Sequence, residues 1–372
     1  MHSTFILQEA TFDQLDELVE LENHCFTTDR LSRRNFRNMI RSESADVIAL
    51  MEGNTISGYA IVLYHKGTSL ARLYSIAVSP TARGKGFAKT LVEDVEQRGR
   101  KRRCIFMRLE VKVDNDSAIK LYESLGYKKF GVYPDYYEDH RDALRFQKRI
   151  KFFEISANTL EVPYVRQTTE FTCGPAALMM AMSAIDPAYR PSISDELRIW
   201  REATTIYMTS GHGGCSPHGL ALAAARRGFK AEVSVTQSGP LFTEGVRKQE
   251  KKDVLCQVHE DFMREIEAQN IPVTQTPLSQ AQIEDALNHK HVPIVLISTY
   301  HFDKKKAPHW VVISAIDANF IYIHDPDIDE PTHRLPFDCQ YLPLAREQFD
   351  RMSQFGQQRL RAGLIISPSV EG

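Results

Sequence analysis

Three residues far apart in the chain have the side chains that nucleophilic catalysis needs. Cys173 stands just ahead of the apolar run at 176–185, near the start of an expected helix. There the helix dipole favours the thiolate, which is the reactive form. His309 opens His309-Trp310-Val311-Val312-Ile313, and Asp325 lies in His324-Asp325-Pro326, each at the edge of a strand-like run. A thiol, an imidazole to take its proton and a carboxylate to orient the ring make the generalised triad. Any one of them alone is more often structural, since buried cysteine is common. A second constellation lies upstream. The strand-like stretch 71–78 passes through Ser79-Pro80 into Thr81-Ala82-Arg83-Gly84-Lys85-Gly86-Phe87-Ala88 and on into a helical pattern. A Gly-rich turn opening a helix offers free N–H groups and the positive end of the dipole to phosphate oxygens. Lys85 adds charge, and the Gly-x4-Gly-Lys-Ser/Thr frame of a P-loop is absent.

The elements that must position these groups follow from hydropathy. Phe5-Ile6-Leu7 reads as a strand, and Thr11-Phe12-Asp13-Gln14 has the form of a capping box. Leu15, Leu18 and Val19 share one helix face, and Glu22 cuts that stripe short. Residues 47–51 and 58–63 read as strands joined by a turn at Gly53-Asn54. Helix is expected over 86–97 and 117–125, with Gly126 as a C-cap, and strand over 104–113. Residues 151–160 lack periodicity and read as a linker. Helices then dominate from 173 to about 229, and strands return at 293–299, 310–316 and 320–323. With no internal repeat, residues 161–372 are expected to form a second domain and not a copy of 1–150.

Composition bounds the function. The 372 residues are 42% hydrophobic and 25% charged, enough for more than one core. Lys+Arg 46 against Asp+Glu 48 gives a net charge of −2, which disfavours a general nucleic-acid binder. The 6 cysteines form no C-x-x-C pair, which favours a reducing compartment. No apolar run reaches the 18 residues of a membrane span, and no signal pattern opens the chain, so a cytoplasmic protein is expected.

The upstream motifs resemble the GNAT superfamily of acetyl-CoA-dependent N-acetyltransferases. Arg83-x-x-Gly86-x-Ala88 matches its pyrophosphate signature, and Leu109-Glu110-Val111-Lys112-Val113-Asp114-Asn115 with the segment from Ala118 to Tyr127 matches its second cofactor motif. Tyr136-Tyr137 and Asp142-Ala143-Leu144 resemble the ribosomal-protein-alanine acetyltransferase branch. The resemblance implies a mixed central sheet flanked by helices around acetyl-CoA. It puts pyrophosphate on the amides of Arg83, Gly84, Lys85, Gly86, Phe87 and Ala88, pantetheine along Ile76 and Val78, and Asn115 on the cofactor. Glu110 would deprotonate the amine through water, and Tyr122 would protonate the departing thiolate. Without that resemblance, a strand Glu usually faces solvent and a helix Tyr usually packs.

The downstream motifs resemble the papain-like cysteine peptidases that process bacteriocin leader peptides, over residues 162–326. That family has Gln six residues before Cys-Gly-x-Ala, then His-x-Val-Val, then Asp-Pro. The resemblance implies Cys173 as nucleophile, His309 as base, Asp325 as orienter and Gln167 as oxyanion donor. Thr172 stands where an acidic residue is usual, and the transporter segments often fused to this family are absent. The combined expectation is an α/β and α+β chain with a GNAT domain at 1–150, a linker at 151–160 and a papain-like domain at 161–372. Its partner would be a peptide or protein with a free amine. For the thiol domain, transfer of an acyl group to an amine and plain peptide binding stand as alternatives to hydrolysis.

Three minor motifs have bland explanations. Arg98-Gly99-Arg100-Lys101-Arg102-Arg103 suits a helix C-terminus, with a ribosome or nucleic-acid contact as the lesser reading. His212, Cys215 and His218 lack a second ligand cluster and suit a loop, or a wall of the peptidase cleft, better than a metal site. Lys304-Lys305-Lys306 suits a solvated loop.

Overall fold

A computed structural model describes residues 5–65, 67–150, 158–207, 212–243, 246–299, 307–328 and 339–369. The chain splits into two compact units, Met1–Phe153 and Glu154–Gly372.

The first unit is one seven-stranded sheet carrying helices on both faces. Its strands are β1 (Phe5–Glu9), β2 (Ala45–Glu52), β3 (Thr55–Tyr64), β4 (Leu70–Val78), β5 (Phe106–Lys112), β6 (Lys128–Tyr133) and β7 (Ala143–Arg149). Their order is β1-β2-β3-β4-β5-β7-β6. Helices α1 (Leu15–Cys25) and α2 (Arg33–Arg41) cover one core, built on Leu18, Phe36 and Tyr59. On the opposite core lie α3 (Phe87–Lys101) and α4 (Asp116–Ser124), with Leu91, Val95 and Tyr122. The Thr11–Gln14 capping box forms and starts a short 3-10 turn ahead of α1. Glu22, which interrupts the apolar stripe in sequence, is buried on that stripe. It accepts hydrogen bonds from Leu31 N at 2.7 Å and from the Tyr59 hydroxyl. Burial pushes its carboxyl above the ordinary glutamate value, against the pull of those bonds.

The sheet opens in its middle. β4 and β5 are its one parallel pair, joined only from Leu70–Phe106 to Arg72–Arg108. Past Arg72, β4 remains paired to β3 alone, Ile76 with Ala60 and Val78 with Gly58, after a register shift. The two strands therefore part where β4 runs into the Gly-rich turn.

The second unit is an eight-stranded sheet against helices. The strands are β8 (Asn158–Thr159), β9 (Phe229–Val235), β10 (Val273–Thr274), β11 (Val292–Ser298), β12 (Pro308–Ile316), β13 (Phe320–His324), β14 (Leu342–Ala345) and β15 (Ala362–Pro368). They run β10-β9-β15-β11-β12-β13-β14, with β8 against β12. The helices are α5 (Cys173–Ile185), α6 (Ile193–Ala203), α7 (Pro217–Ala225), α8 (Gln249–Ala268), α9 (Gln280–Asn288) and α10 (Arg346–Met352). α5 is buried from Cys173 to Ser183, which is why its sequence reads as one apolar run. The stretch expected as a linker is corrected at its end, because Asn158 and Thr159 pair with Ile316 and Ala315. Residues 151–157 lie outside the described residues. Among the described residues, no helix is long and apolar enough to cross a membrane.

Candidate active sites

In the first unit the Gly-rich turn lies between the end of β4 and the start of α3. Gly84 (φ +80) and Gly86 (φ +82, the N-cap of α3) are both left-handed, and a Cβ at either would meet nothing within 4 Å. Conformation, and not crowding by the chain, is what demands glycine there. The Lys85 Nζ lies 2.8 Å from Glu52 Oε1 and 3.1 Å from Oε2, a partly exposed pair beside the turn. The Phe87 ring is buried in the core, edge-on to Phe5, so what Phe87 can offer a ligand is its backbone. Ile76 and Val78 likewise pack their side chains on the core. Arg83 lies beside Cys25, whose thiol burial pushes above its ordinary value while Arg83 opposes that push.

Glu110 and Tyr122 are brought close enough to interact. Glu110 Oε2 lies 2.9 Å from Arg72 Nε, and both side chains are about 95% buried. Arg72 Nη2 also donates to the Tyr136 hydroxyl at 3.1 Å. Tyr122 is buried edge-on to Tyr127 at 5.7 Å. Burial first, and then the Glu110 charge, hold its phenol well above the ordinary tyrosine value, so it stays protonated. Tyr137 is shifted the same way by burial and then by Tyr136, Glu110, Asp29 and Tyr122, which places these groups in one region. Asp29 and Glu138 tie the two loops over that region, each N–H bonding the other's carboxylate at 3.0 Å. Nothing in the sequence announced Arg72 or this tie, since residues 29 and 138 are 109 positions apart. Asn115 caps α4, its Oδ1 accepting from Ala118 N at 3.1 Å and from the Ser117 hydroxyl at 3.0 Å.

In the second unit, Cys173 is the first residue of α5, with Thr172 as N-cap. His309 is the second residue of β12, and Asp325 follows the last residue of β13. These strands are antiparallel with Val312 opposite His324, which carries Asp325 back alongside His309. His309 Nε2 is 2.6 Å from Asp325 Oδ1, with 8% and 3% of the side chains exposed. The same oxygen accepts from Asp327 N at 2.9 Å, and the Tyr164 hydroxyl bonds the Asp325 carbonyl at 2.9 Å. Burial works against a charged imidazole, but the Asp325 carboxylate and then Cys173 outweigh it. His309 therefore titrates well above the ordinary histidine value. Cys173 adds to the upward pull of Asp325 on the ring, which places the thiol beside His309.

The surrounding loops are fixed by polar contacts. Thr172 is fully buried, and its hydroxyl accepts from Thr169 N at 3.2 Å and donates to Thr169 O at 3.1 Å. It closes the turn before Cys173 in the way an acidic acceptor would. Gln167 is buried, with its N–H on Pro326 O at 3.0 Å. The cleft beside Cys173 has a volume of about 300 Å³ and is walled by Phe171, His212, Cys215, Phe242, Trp310 and Phe355, among others. His212 and Cys215 are thus cleft residues, and Trp310 Nε1 holds the Cys215 carbonyl at 3.1 Å. His218 is buried in α7 beneath its Ser216 cap. Among the described residues, no three His, Cys, Asp or Glu side chains gather as a metal-ligand set. Residues 211 and 304–306 lie outside the described residues.

Comparison with known proteins finds a family for each unit. Residues 15–127 match the Acetyltransferase (GNAT) family, and residues 162–367 match the Peptidase_C39 like family. A Bacillus subtilis (strain 168) protein bearing the name ribosomal protein bS18-alanine N-acetyltransferase is 23% identical over 145 residues, 39% of this chain and 95% of the relative. An N-alpha-acetyltransferase of Saccharolobus solfataricus is 29% identical over 150 residues, 37% of this chain and 89% of the relative. The solved ribosomal-protein-S18-alanine N-acetyltransferase of Escherichia coli is 24% identical, covering 41% of this chain and 97% of its own, at a TM-score of 0.38. The second match spans more than half of the sequence, and the chain belongs to the Peptidase_C39 like family, with a GNAT acetyltransferase domain at its N-terminal end.

Proposed function

We propose that the C-terminal unit is a cysteine peptidase and that the N-terminal unit moves the acetyl group of acetyl-CoA to the free amine of a peptide or protein. The observation that carries the first activity is the buried His309–Asp325 pair, 2.6 Å apart, with the Cys173 thiol beside the ring. In this reading His309 takes the Cys173 proton, and the thiolate attacks the substrate carbonyl. Gln167 donates its amide N–H to the oxyanion, and His309 returns the proton to the leaving amine before water releases the acyl group.

In the acetyltransferase unit the parting of β4 from β5 leaves the backbone at Ile76 and Val78 for the pantetheine arm. Residues 83–88 turn their amides at the α3 N-terminus toward pyrophosphate, and Asn115 keeps its NH2 for the cofactor. Glu110, with Arg72 as its countercharge, accepts the amine proton through water, and Tyr122 gives its proton to the departing thiolate. Ribosomal-protein and N-alpha acceptors among the relatives favour a protein or peptide N-terminus as the acceptor.

The test is mass spectrometry of a peptide library incubated with the full chain, with and without acetyl-CoA. Expected are cleavage that adds water and is lost in Cys173→Ala, and acetylation that persists in it. Products carrying a second peptide in place of water would make the thiol domain a transferase. No Cys173-dependent product from any peptide, with Cys173 alkylation unchanged in His309→Ala, would reduce it to a binding module.

A further inference from the structure

Among the described residues, no neighbour grips the side chain of Gln167, the proposed oxyanion donor. Gln167 Oε1 is buried and makes no hydrogen bond among the described residues. The grip falls one residue later. Thr168 N reaches Glu196 Oε1 at 2.8 Å, and the Thr168 hydroxyl reaches Glu196 Oε2 at 2.8 Å. Glu196 lies on α6 with 1% exposure, and α6 is itself fixed by the Ser192 cap and by core residues Ile199 and Ala203. Among the described residues no cation pairs with this carboxylate. A buried carboxylate costs solvation, and its two charge-assisted bonds are both placed on the loop that carries Gln167. On the other side the Gln167 N–H is tied to Pro326, next to Asp325. The donor's backbone is thus clamped between the triad strand and α6.

We infer that Glu196 is a positioning residue for oxyanion stabilisation: it fixes the 167–168 backbone so that the Gln167 amide meets the developing oxyanion without reorganising. This rests on the cysteine-peptidase reading above. A donor is worth most when it needs no rearrangement as charge develops, and a side chain clamped only through its backbone depends on that clamp.

The experiment uses two Cys173 probes on the full chain. Iodoacetamide forms an S–C bond and expels iodide, so it reads the thiolate and creates no oxyanion. A short peptide aldehyde adds through C–S bond formation as the C=O π bond breaks. The thiol proton ends on the new oxygen, which lies where the oxyanion would. Glu196→Gln can accept only one of the two Thr168 bonds. It is expected to lose about tenfold or more in aldehyde affinity, part of the ~10²–10³ that removing a donor costs. Its iodoacetamide rate against pH should match that of the native chain. Gln167→Ala should lose at least as much, and the double variant should be no weaker than Gln167→Ala alone. Thr168→Val, which removes the hydroxyl half of the grip, should fall between the native chain and Glu196→Gln. Unchanged aldehyde affinity in Glu196→Gln, a loss that adds in full to Gln167→Ala, or a parallel fall in alkylation would overturn the inference. A native Cys173 that alkylates no faster than a free thiol and binds no aldehyde would instead overturn the peptidase reading, and this inference with it.

Discussion

His309 and Tyr122 are both buried, and the structure keeps a proton on each for opposite reasons. Burial alone holds the Tyr122 phenol neutral, and the Glu110 charge adds to it. Burial alone would strip His309, but Asp325 and Cys173 reverse that. Because the imidazolium is the stabilised form, the pair with Cys173 survives until pH rises through the raised His309 value. The alkaline limb of Cys173 reactivity should therefore lie well above the ~6.5 of a free histidine. Replacing Asp325 by Ala leaves burial unopposed by the carboxylate, so that limb should move down. An unmoved alkaline limb in the pH profile of peptide turnover, which needs the His309 proton for the leaving amine, would separate it from His309. Tyr122→Phe keeps the packing against Tyr127 and should lower kcat for acetyl transfer by about 10²-fold or more, with KM for acetyl-CoA and Tm nearly unchanged. Cys173, His309 and Asp325 were legible because their types carry chemistry and each stands at the end of an element. Arg72 and Glu196 were not, because a lone charge in a strand or helix pattern usually faces water. Only the tertiary fold buries them.

Elements were legible where burial is periodic or complete, and lost where it is neither. The strands β2 to β5 and helices α3 to α5 fall within a few residues of expectation, because their apolar runs are long and end at Gly or at a cap. The 20-residue α8 escaped notice because it buries only Leu255, Phe262 and Ile266, too thin a stripe to stand out. β6 is an edge strand with little buried on either face, and its sequence lacks alternation. β15 was missed for the opposite reason. It lies between β9 and β11 and is buried on both faces, so it shows a run without a period. The Gly-rich turn was legible as a break between strand and helix, but its left-handed dihedrals were not. Gly86→Ala tests those dihedrals. The added methyl meets no chain atom, so any loss comes from the left-handed backbone at φ +82. A cost of roughly 1–2 kcal/mol in stability is expected from calorimetry, with a raised KM for acetyl-CoA as the amides turn away. An unchanged Tm and KM would mean that the turn tolerates an L-residue and that the glycine serves the ligand alone.

At the scale of the whole molecule, a net charge of −2 and two compact units fit two separate chemistries better than one extended binding face. The basic run at 98–103 does not disturb that balance. Arg98 is paired with Asp94 and Glu9, Arg100 with Glu96, and Arg102 with Asp46. The two proposed activities connect through products and reactants: hydrolysis of a peptide bond would yield a new N-terminal amine, and an amine is what an acetyl donor needs. If the units work in sequence, a peptide with a blocked N-terminus and no lysine becomes an acceptor only after cleavage. With acetyl-CoA, the native chain should then give a cleaved fragment acetylated at its new N-terminus, and Cys173→Ala should give none. Supplying that fragment ready-made should restore acetylation by Cys173→Ala in full. Glu110→Gln should do the reverse, leaving cleavage intact and cutting acetylation by about 10²-fold or more. Cleaved fragments that stay unacetylated in the native chain, while unrelated amines are modified, would show two activities that share a chain without sharing a substrate.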